Sequence, residues 1–506
     1  MRYRALIPAL ALGAAALGGC RADTYVTDPT NPTAATFWKT ANDASTGLTA
    51  AYNSLNQSST FLRWFTFTYD IRADDGTSHS PWTDLANHSK FAFASYDFEI
   101  LHDTWGQSYQ GISRANLVIA NVPNIQMDAT ARDQMVGEAK FLRGLHYFHL
   151  VTSYGGNIPL ITAPVSVTDR PGPAGEAAIY AQLEKDFTDA AAVLPKTAFA
   201  GSGGHAVAAS AQGMLGKVLL QEKKWAAAAA ALAPIVNQQY GSYALAPDYG
   251  GLFQLSGNNS PESLFETETG SASTAPLGVY GNNIPKFLGP CGPSFCDGRP
   301  TRWFFTQFFI DSTTDGKRDP RVDATVFYYR GDTTMVHNLT WAQRRAGPDS
   351  AVYKDTTNLF FKKYSDAAAN VDKTDITIDA PVNVKILRYA DVLLMYAEAL
   401  NESGQPAQAA QYLNQVRARV HLRPTTAADQ VSMRAAIMHE RLLELGEEAS
   451  RWNDLARAGM FDAAGVAILQ THDDEFKNFT PGKSNLYPIP TSELNQNPNL
   501  HQNPGW

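Results

Sequence analysis

Apolar residues recur at three- and four-residue steps over several long stretches, a spacing that predicts amphipathic helices. Helical periodicity begins near Trp38 and continues through Leu55. A second helix is expected over about His102–Val122, with Trp105, Tyr109, Ile112, Asn116 and Ile119 in step. A third runs from about Ala131 to Tyr154 and stops at Gly155-Gly156. A fourth covers about Glu176–Val193 and is ended by Pro195. Residues 207–238 predict two alanine-rich helices joined by a turn at Lys223-Lys224-Trp225. Residues 386–420 repeat the idea: Leu387, Ala390, Leu394 and Ala397 line one helix face, Gly404 marks the turn, and Ala409, Leu413 and Val416 line the next.

The small residues of the first of these pairs, Ala208, Ala209, Ala211, Gly213 and Gly216, let paired helices approach closely, which is the logic of a tetratricopeptide-type hairpin. The pattern then breaks. Residues 240–380 are rich in Gly, Asn, Ser, Pro and aromatics, with short strand-like pieces such as Ala324–Tyr329. Irregular segments of this length usually carry function. The stretch 21–36, with Asp28-Pro29-Thr30-Asn31-Pro32-Thr33, reads as an extended tether, and 479–506 is again extended and proline-rich. The expectation is a mostly α chain of helix pairs with a loop-rich region packed alongside.

The first twenty residues carry a different pattern. Arg2 and Arg4 precede an uncharged apolar run from Ala5 to Leu17, closed by Leu17-Gly18-Gly19-Cys20. That run is too short to span a bilayer and reads as a secretory leader. Small residues directly before a cysteine make the lipobox pattern of bacterial lipoproteins, in which Cys20 becomes the lipidated first residue; the bland alternative is an ordinary leader with an accidental cysteine. No later run approaches the ~18 apolar residues that a membrane helix needs, so the lipid is the expected anchor. With Cys20 so used, Cys291 and Cys296 form an even pair in an oxidising compartment, and the turn-forming Gly292 and Pro293 between them favour a disulfide over a metal half-site. The chain has 506 residues and a net charge of -8, which argues against nucleic acid and against an electrostatic membrane face.

Catalytic signatures are sparse. There is no H-E-x-x-H, nucleophile elbow or phosphate-binding loop. Asp311, Asp315, Gly316 and Asp319 imitate part of a calcium loop, but Val322 stands where the bidentate glutamate belongs. Asp70, Asp74, Asp75 and Asp84 offer carboxylates for glycoside hydrolysis, although acidic loops are usually just solvated. Glu440, Arg441, Glu444, Arg451 and Asp454 sit at helical steps that suit intramolecular ion pairs, read as structural and set between C-terminal helices. No catalytic residue, metal site or cofactor is expected. What stands out is a supply of loop aromatics: Trp64, Tyr69 and Trp82, then Tyr280, Trp303 and Trp341. Sugar rings present flat C–H faces to such rings, and Arg72, Asp74 and Asn282 are candidate hydroxyl partners. The expected ligand set is Trp82, Tyr280, Trp303, Arg72 and Asp74, against the alternative that the rings fill the core.

Residues 138–160, EAKFLRGLHYFHLVTSYGGNIPL, closely resemble the signature helix and turn of the SusD/RagB family of outer-membrane nutrient-binding lipoproteins. Phe37-Trp38-Lys39-Thr40 with Ala51-Tyr52 resembles its first helix, and Trp105, Tyr109, Ile112 and Arg114-Ala115-Asn116 its second. Residues 386–402, Asn414–Arg419 and the set from Glu440-Arg441 to Asp454-Leu455 are similar to its C-terminal region, and Tyr487-Pro488-Ile489-Pro490 through Trp506 to its terminal motif. The resemblance implies a right-handed superhelix of tetratricopeptide-like pairs, with Phe141, Leu145 and Phe148 as the packing stripe of the signature helix. It also implies capture of an oligosaccharide, or sometimes a peptide, at the cell surface, as a lid on a TonB-dependent SusC-like transporter and without chemistry. The expected organisation is a leader at 1–19, a lipidated tether at 20–36, helical regions at 37–240 and 386–506, and a ligand-recognition region at 241–385. Two rivals are a lipid-anchored glycoside hydrolase and a protein-binding helical scaffold.

Overall fold

A computed structural model describes residues 37–270, 281–365 and 379–506. Cys20 and Tyr280 lie outside the described residues. The first helix, α1 (Ala41–Tyr52), starts where Thr40 and Asp43 cap each other: the Thr40 hydroxyl accepts from the Asp43 amide, and the Asp43 carboxylate accepts from the Thr40 amide. After α2 (Trp64–Tyr69), the short strand β1 (Gly76–Ser78) and α3 (Thr83–His88) come the long helices α4 (Glu99–Asn121), α5 (Ala129–Tyr154) and α6 (Glu176–Val193), then α7 (Ala208–Gln221) and α8 (Trp225–Val236).

The middle of the chain is made of short pieces: β2 (Ser263–Thr267), α9 (Ile284–Leu288), β3 (Gly298–Pro300), α10 (Arg302–Gln307), α11 (Val322–Thr325), β4 (Val326–Phe327), β5 (Met335–Val336), β6 (Leu339–Thr340), α12 (Trp341–Ala346), α13 (Ser350–Lys354) and β7 (Phe360–Phe361). The chain then returns to helices through β8 (Val384–Arg388): α14 (Tyr389–Glu402), α15 (Pro406–Arg419), α16 (Gln430–Leu445), α17 (Arg451–Arg457), α18 (Ala463–Leu469) and α19 (Thr491–Gln496).

Neighbours in sequence pack as neighbours in space. α4 lies on α5, α5 on α6, α6 on α7 and α7 on α8, while α14 packs on α8, α15 and α16. The short connections of α4 to α5, α7 to α8 and α14 to α15 make those pairs antiparallel, and tetratricopeptide-like pairs run along the body with the loop-rich region at its side. Close approach is purchased with glycine: a Cβ on Gly144 of α5 would stand 2.7 Å from the Phe187 ring of α6, and one on Gly216 of α7 2.4 Å from Leu232 of α8. Phe141, Leu145 and Phe148 are all buried, and so is nearly every residue of α5 from Gly137 onward, which makes it the central helix. The terminal stretch wraps back onto it. The Tyr487 amide donates to the Ser153 carbonyl at 2.8 Å, and Asn503 donates to the Tyr154 and Tyr487 carbonyls. That stretch is irregular, with turns at 481–485, 498–499 and 504–505 beside the short α19.

The charged set of the C-terminal helices is buried and bonded: Arg417 and Arg419 of α15 reach Glu440 and Glu444 of α16, and Asp454 of α17 pairs with Arg457 one turn along, but further partners come from far away in sequence. Arg321, fully buried, reaches Glu440 at 2.6 Å and Glu444 at 2.9 Å. Arg388 pairs with Glu262, Glu444 and Glu448, and Arg419 with Glu444. Arg441 bridges Asp391 and Asp454 at 2.8 Å each. Arg451 leaves the C-terminal helices altogether and holds Asp74, in the loop before β1, with two bonds of 2.6 and 2.8 Å. Burial alone would raise the Glu444 carboxyl; the guanidinium groups of Arg419, Arg388 and Arg321 outweigh it and hold Glu444 well below the usual carboxylate range.

This network corrects two expectations about the early loop. Asp74 is 1% exposed; burial would raise its carboxyl, and Arg451 and His472 bring it down to about 2. Arg72, also 1% exposed, lies between Trp452 and Tyr487, 3.9 and 4.1 Å from the ring centroids, and donates to the Ser484 carbonyl. Both side chains hold the C-terminal segments to the loop and turn no polar group to the surface. Trp64, Tyr69 and Trp341 are likewise core residues, and Asn282 is buried with its amide on the Val382 carbonyl. In the calcium-like loop, Asp319 is taken by Arg321, Asp315 by Lys317 and Asp311 by Arg417.

Candidate functional site

The strand pair β1–β3 brings the two halves of the loop-rich face together. It is antiparallel, with Gly76 opposite Pro300, Thr77 opposite Arg299 and Ser78 opposite Gly298. Residues after Ser78 therefore meet residues before Gly298, so the Trp82 loop and the Cys291–Cys296 loop share one end of the pair. Trp303, just after Pro300, belongs to the other end.

At the first end a row of rings comes to the surface. Trp82 is 39% exposed. Its backbone is fixed because its carbonyl accepts from Ala86 at the start of α3, and its amide donates to the Ser80 hydroxyl. Its ring meets Phe98 edge-on at 4.9 Å and Trp64 at 6.4 Å. Trp64 continues to Phe287 of α9 at 6.0 Å, and Phe287 to Phe295 at 5.2 Å. Phe295 is 52% exposed. The Arg63 guanidinium lies between the middle rings, 3.7 Å from the Trp64 centroid and 4.8 Å from that of Phe287, and is held by Glu99 at 2.9 Å. Two exposed rings thus flank a cation seated over two buried ones.

The Phe295 loop is closed by a Cys291–Cys296 disulfide, with the Cα atoms 4.9 Å apart. The Phe295 amide donates to the Lys286 carbonyl at 2.8 Å, the Asp297 amide to the Phe287 carbonyl, and the Tyr353 hydroxyl to the Cys291 carbonyl. α9 is tied in turn to the Arg63 segment, since the Asn283 amide donates to the Leu62 carbonyl at 3.0 Å.

At the other end, Trp303 is half-buried and stacks on His472 with centroids 4.1 Å apart; His472 also reaches Asp74 at 3.2 Å. Beside it runs a polar groove of about 380 Å³ lined by Thr77, His79, Arg302, His472, Asp473 and Asp474. Burial pushes the carboxyl of Asp473 up to about 6 and that of Glu475, which accepts from Thr77 at 2.7 Å, up to about 7. Of the expected ligand set, Trp82 and Trp303 are therefore exposed in part but have separate ring partners. Arg63, Phe287 and Phe295 were not singled out from the sequence, although Phe295 lies inside the cysteine loop that was.

No group of three or more His, Cys, Asp or Glu side chains among the described residues is arranged to hold a metal ion, and no described helix is long and apolar enough to cross a membrane. Comparison with known proteins gives a family match that covers more than half of the chain: the SusD family model matches residues 240–506. The chain belongs to the SusD family. A second model, described as starch-binding and associating with the outer membrane, matches residues 34–220. SusD-like protein P2 of Formosa agariphila is 27% identical over 93% of this chain and 94% of its own length. A SusD superfamily protein from Bacteroides vulgatus superposes with a TM-score of 0.79 at 25% identity, covering 93% of this chain and all of that one. A structure titled as a laminarin-binding SusD-like protein superposes with a TM-score of 0.75 at 27% identity, over 92% of this chain and all of its own. In this SusD-family chain the family-like helices form the body, and the aromatic row sits where β1–β3 joins two loop regions.

Proposed function

We propose that this SusD-family protein binds an oligosaccharide on the aromatic face at β1–β3 and delivers it to a SusC-like TonB-dependent transporter of the outer membrane, to which membrane it is held by a lipid on Cys20. It carries out no chemistry on the ligand. The observation that carries the reading is Trp82, an exposed indole pinned by its backbone to the start of α3 and backed by Phe98 and Trp64. Such a ring offers a flat apolar face at little cost in side-chain entropy. Trp303, across the strand pair, is a subsidiary contact. The laminarin-binding neighbour and the starch-binding family description support a glycan over a peptide. Cargo has to be released again, and stacking with a few exposed hydrogen bonds gives binding of roughly micromolar to millimolar strength, about -8 to -4 kcal/mol.

Isothermal titration against laminarin, starch- and xylan-derived oligosaccharides tests the reading. Wild type binds at least one, and Trp82→Ala loses about tenfold or more in affinity, some 1.4 kcal/mol, while staying folded with only a modest fall in melting temperature. Normal binding by Trp82→Ala contradicts it. For attachment, Cys20→Ser yields uncleaved or soluble protein; a variant that still fractionates with the outer membrane and takes up fatty-acid label contradicts the lipid anchor.

A further inference from the structure

Phe295 is an exposed ring on a loop that the chain has taken trouble to fix. Its loop is six residues from Cys291 to Cys296, closed by the disulfide. Gly292 within it has a φ of 96° and Cys296 one of 48°, both in the left-handed region, which is costly for a cysteine. The Phe295 amide holds the loop to α9 and the Tyr353 hydroxyl holds it to the irregular core beneath, while Ser294 closes the turn on the Pro290 carbonyl. A short closed loop removes little unfolded-state entropy and so contributes little global stability. What this arrangement does achieve is the presentation of one phenylalanine. The Phe287 ring supports it edge-on at 67°, and the Lys286 ammonium sits 4.9 Å from its centroid, yet 52% of the residue stays open.

Trp82 and Phe295 are the two open rings of the row, and two buried rings separate them. Trp82 to Trp64, Trp64 to Phe287 and Phe287 to Phe295 are steps of 6.4, 6.0 and 5.2 Å between centroids. Trp82 and Phe295 share no ring contact, so a single sugar ring stacked on one does not cover the other. Between them lies the Arg63 guanidinium, a donor suited to sugar hydroxyls and anchored by Glu99.

Resting on the glycan reading above, we infer that the disulfide-clamped Phe295 is a length-selecting contact: it engages only oligosaccharides long enough to reach from Trp82 across Arg63. The ligand class is then an extended oligosaccharide with a stackable ring at each end of the bound segment. Mono- and disaccharides use the Trp82 end alone. The clamp matters because a ring at the far end of a flexible loop would have to be ordered by each ligand, and ordering costs affinity.

Titration calorimetry with graded ladders of one to seven units made from laminarin, starch and xylan tests this on the folded mature protein. In wild type, affinity for the recognised ladder rises with length and then levels off. In Phe295→Ala the rise is lost: long members bind about tenfold more weakly, while the shortest are unchanged within twofold. Cys291→Ser with Cys296→Ser, checked by circular dichroism and melting temperature, shows the same length-dependent loss to a smaller degree. Trp82→Ala weakens every length. Equal affinities of Phe295→Ala and wild type across the ladder overturn the inference and leave the glycan reading standing, provided that Trp82→Ala still weakens binding. Equal weakening of all lengths by Phe295→Ala also overturns it, since the ring is then part of the primary contact. A wild type that binds no ladder contradicts the glycan reading itself.

Discussion

The interior around α16 and the face around β1–β3 are built from opposite materials. Around α16 the chain buries charge: Glu440 and Glu444 are fully enclosed among Arg321, Arg388, Arg417 and Arg419. At β1–β3 it exposes rings, Trp82 and Phe295, with Trp64 and Phe287 beneath. Each buried guanidinium has several carboxylate oxygens to answer it, so the network admits one arrangement of the segments that it joins. It ties the irregular middle of the chain, through Arg321 and Arg388, to the last helices, and through Arg451 and Asp74 it fixes the loop that leads into β1. The exposed rings make few directional bonds and suit a cargo that must come and go. Rigidity is invested behind the face so that the face itself needs little.

The sharpest way to break this contrast is to remove a carboxylate from the interior. Glu444→Ala leaves three guanidinium groups under-compensated, and loss of one partner of a buried pair costs about 3–5 kcal/mol. Urea unfolding should show a loss of that size, while ligand affinity per folded molecule stays within twofold. Trp303→Ala comes next. Trp303 is half-buried and stacked on His472, so its removal should cost about 2 kcal/mol, less than the ~3–5 of a fully buried tryptophan, and weaken binding less than Trp82→Ala does.

The smallest effect concerns pH. Glu475 titrates at about 7 and Asp473 at about 6 in the folded protein, both raised by burial. At these two groups the native state therefore holds more protons than the unfolded chain between about pH 4 and pH 7, and their contribution to stability falls as pH rises through that window. Asp74, held at about 2, has the opposite sign and loses its contribution only as pH drops below about 4. Glu475→Gln should flatten the decline in melting temperature between pH 5 and pH 8. An unaltered slope would mean that Glu475 is not the group responsible.

The helical body was legible in the sequence because its signals are local. The 3.6-residue period of α4 to α6 and the stops at Gly155 and Pro195 depend only on near neighbours, and α6 falls on Glu176–Val193 as the pattern predicts. The face was not legible to the same depth. Trp64 and Trp82 look alike in sequence, aromatic residues in an early loop, yet one is fully buried and the other 39% exposed. The difference comes in part from Phe287 of α9, more than 200 residues later, whose ring packs on Trp64 and makes no ring contact with Trp82. Glu440 and Glu444 show a helical spacing that suggests local pairs, but their cations arrive from Arg321, Arg388 and Arg419. Arg72 and Asp74 misled for the same reason, since a polar loop residue cannot reveal that Trp452, Tyr487 or Arg451 will enclose it.

The central claim is a separation of roles, with buried charge setting stability and exposed rings setting affinity. One paired measurement tests it most directly: the unfolding free energy and the affinity for the best-bound oligosaccharide, determined side by side for Glu444→Ala and Trp82→Ala. A crossover is expected, with Glu444→Ala losing about 3–5 kcal/mol of stability at wild-type affinity, and Trp82→Ala losing about tenfold or more in affinity with a far smaller loss of stability than Glu444→Ala. Two variants that lose both properties together, or a Trp82→Ala protein that binds normally, would contradict it.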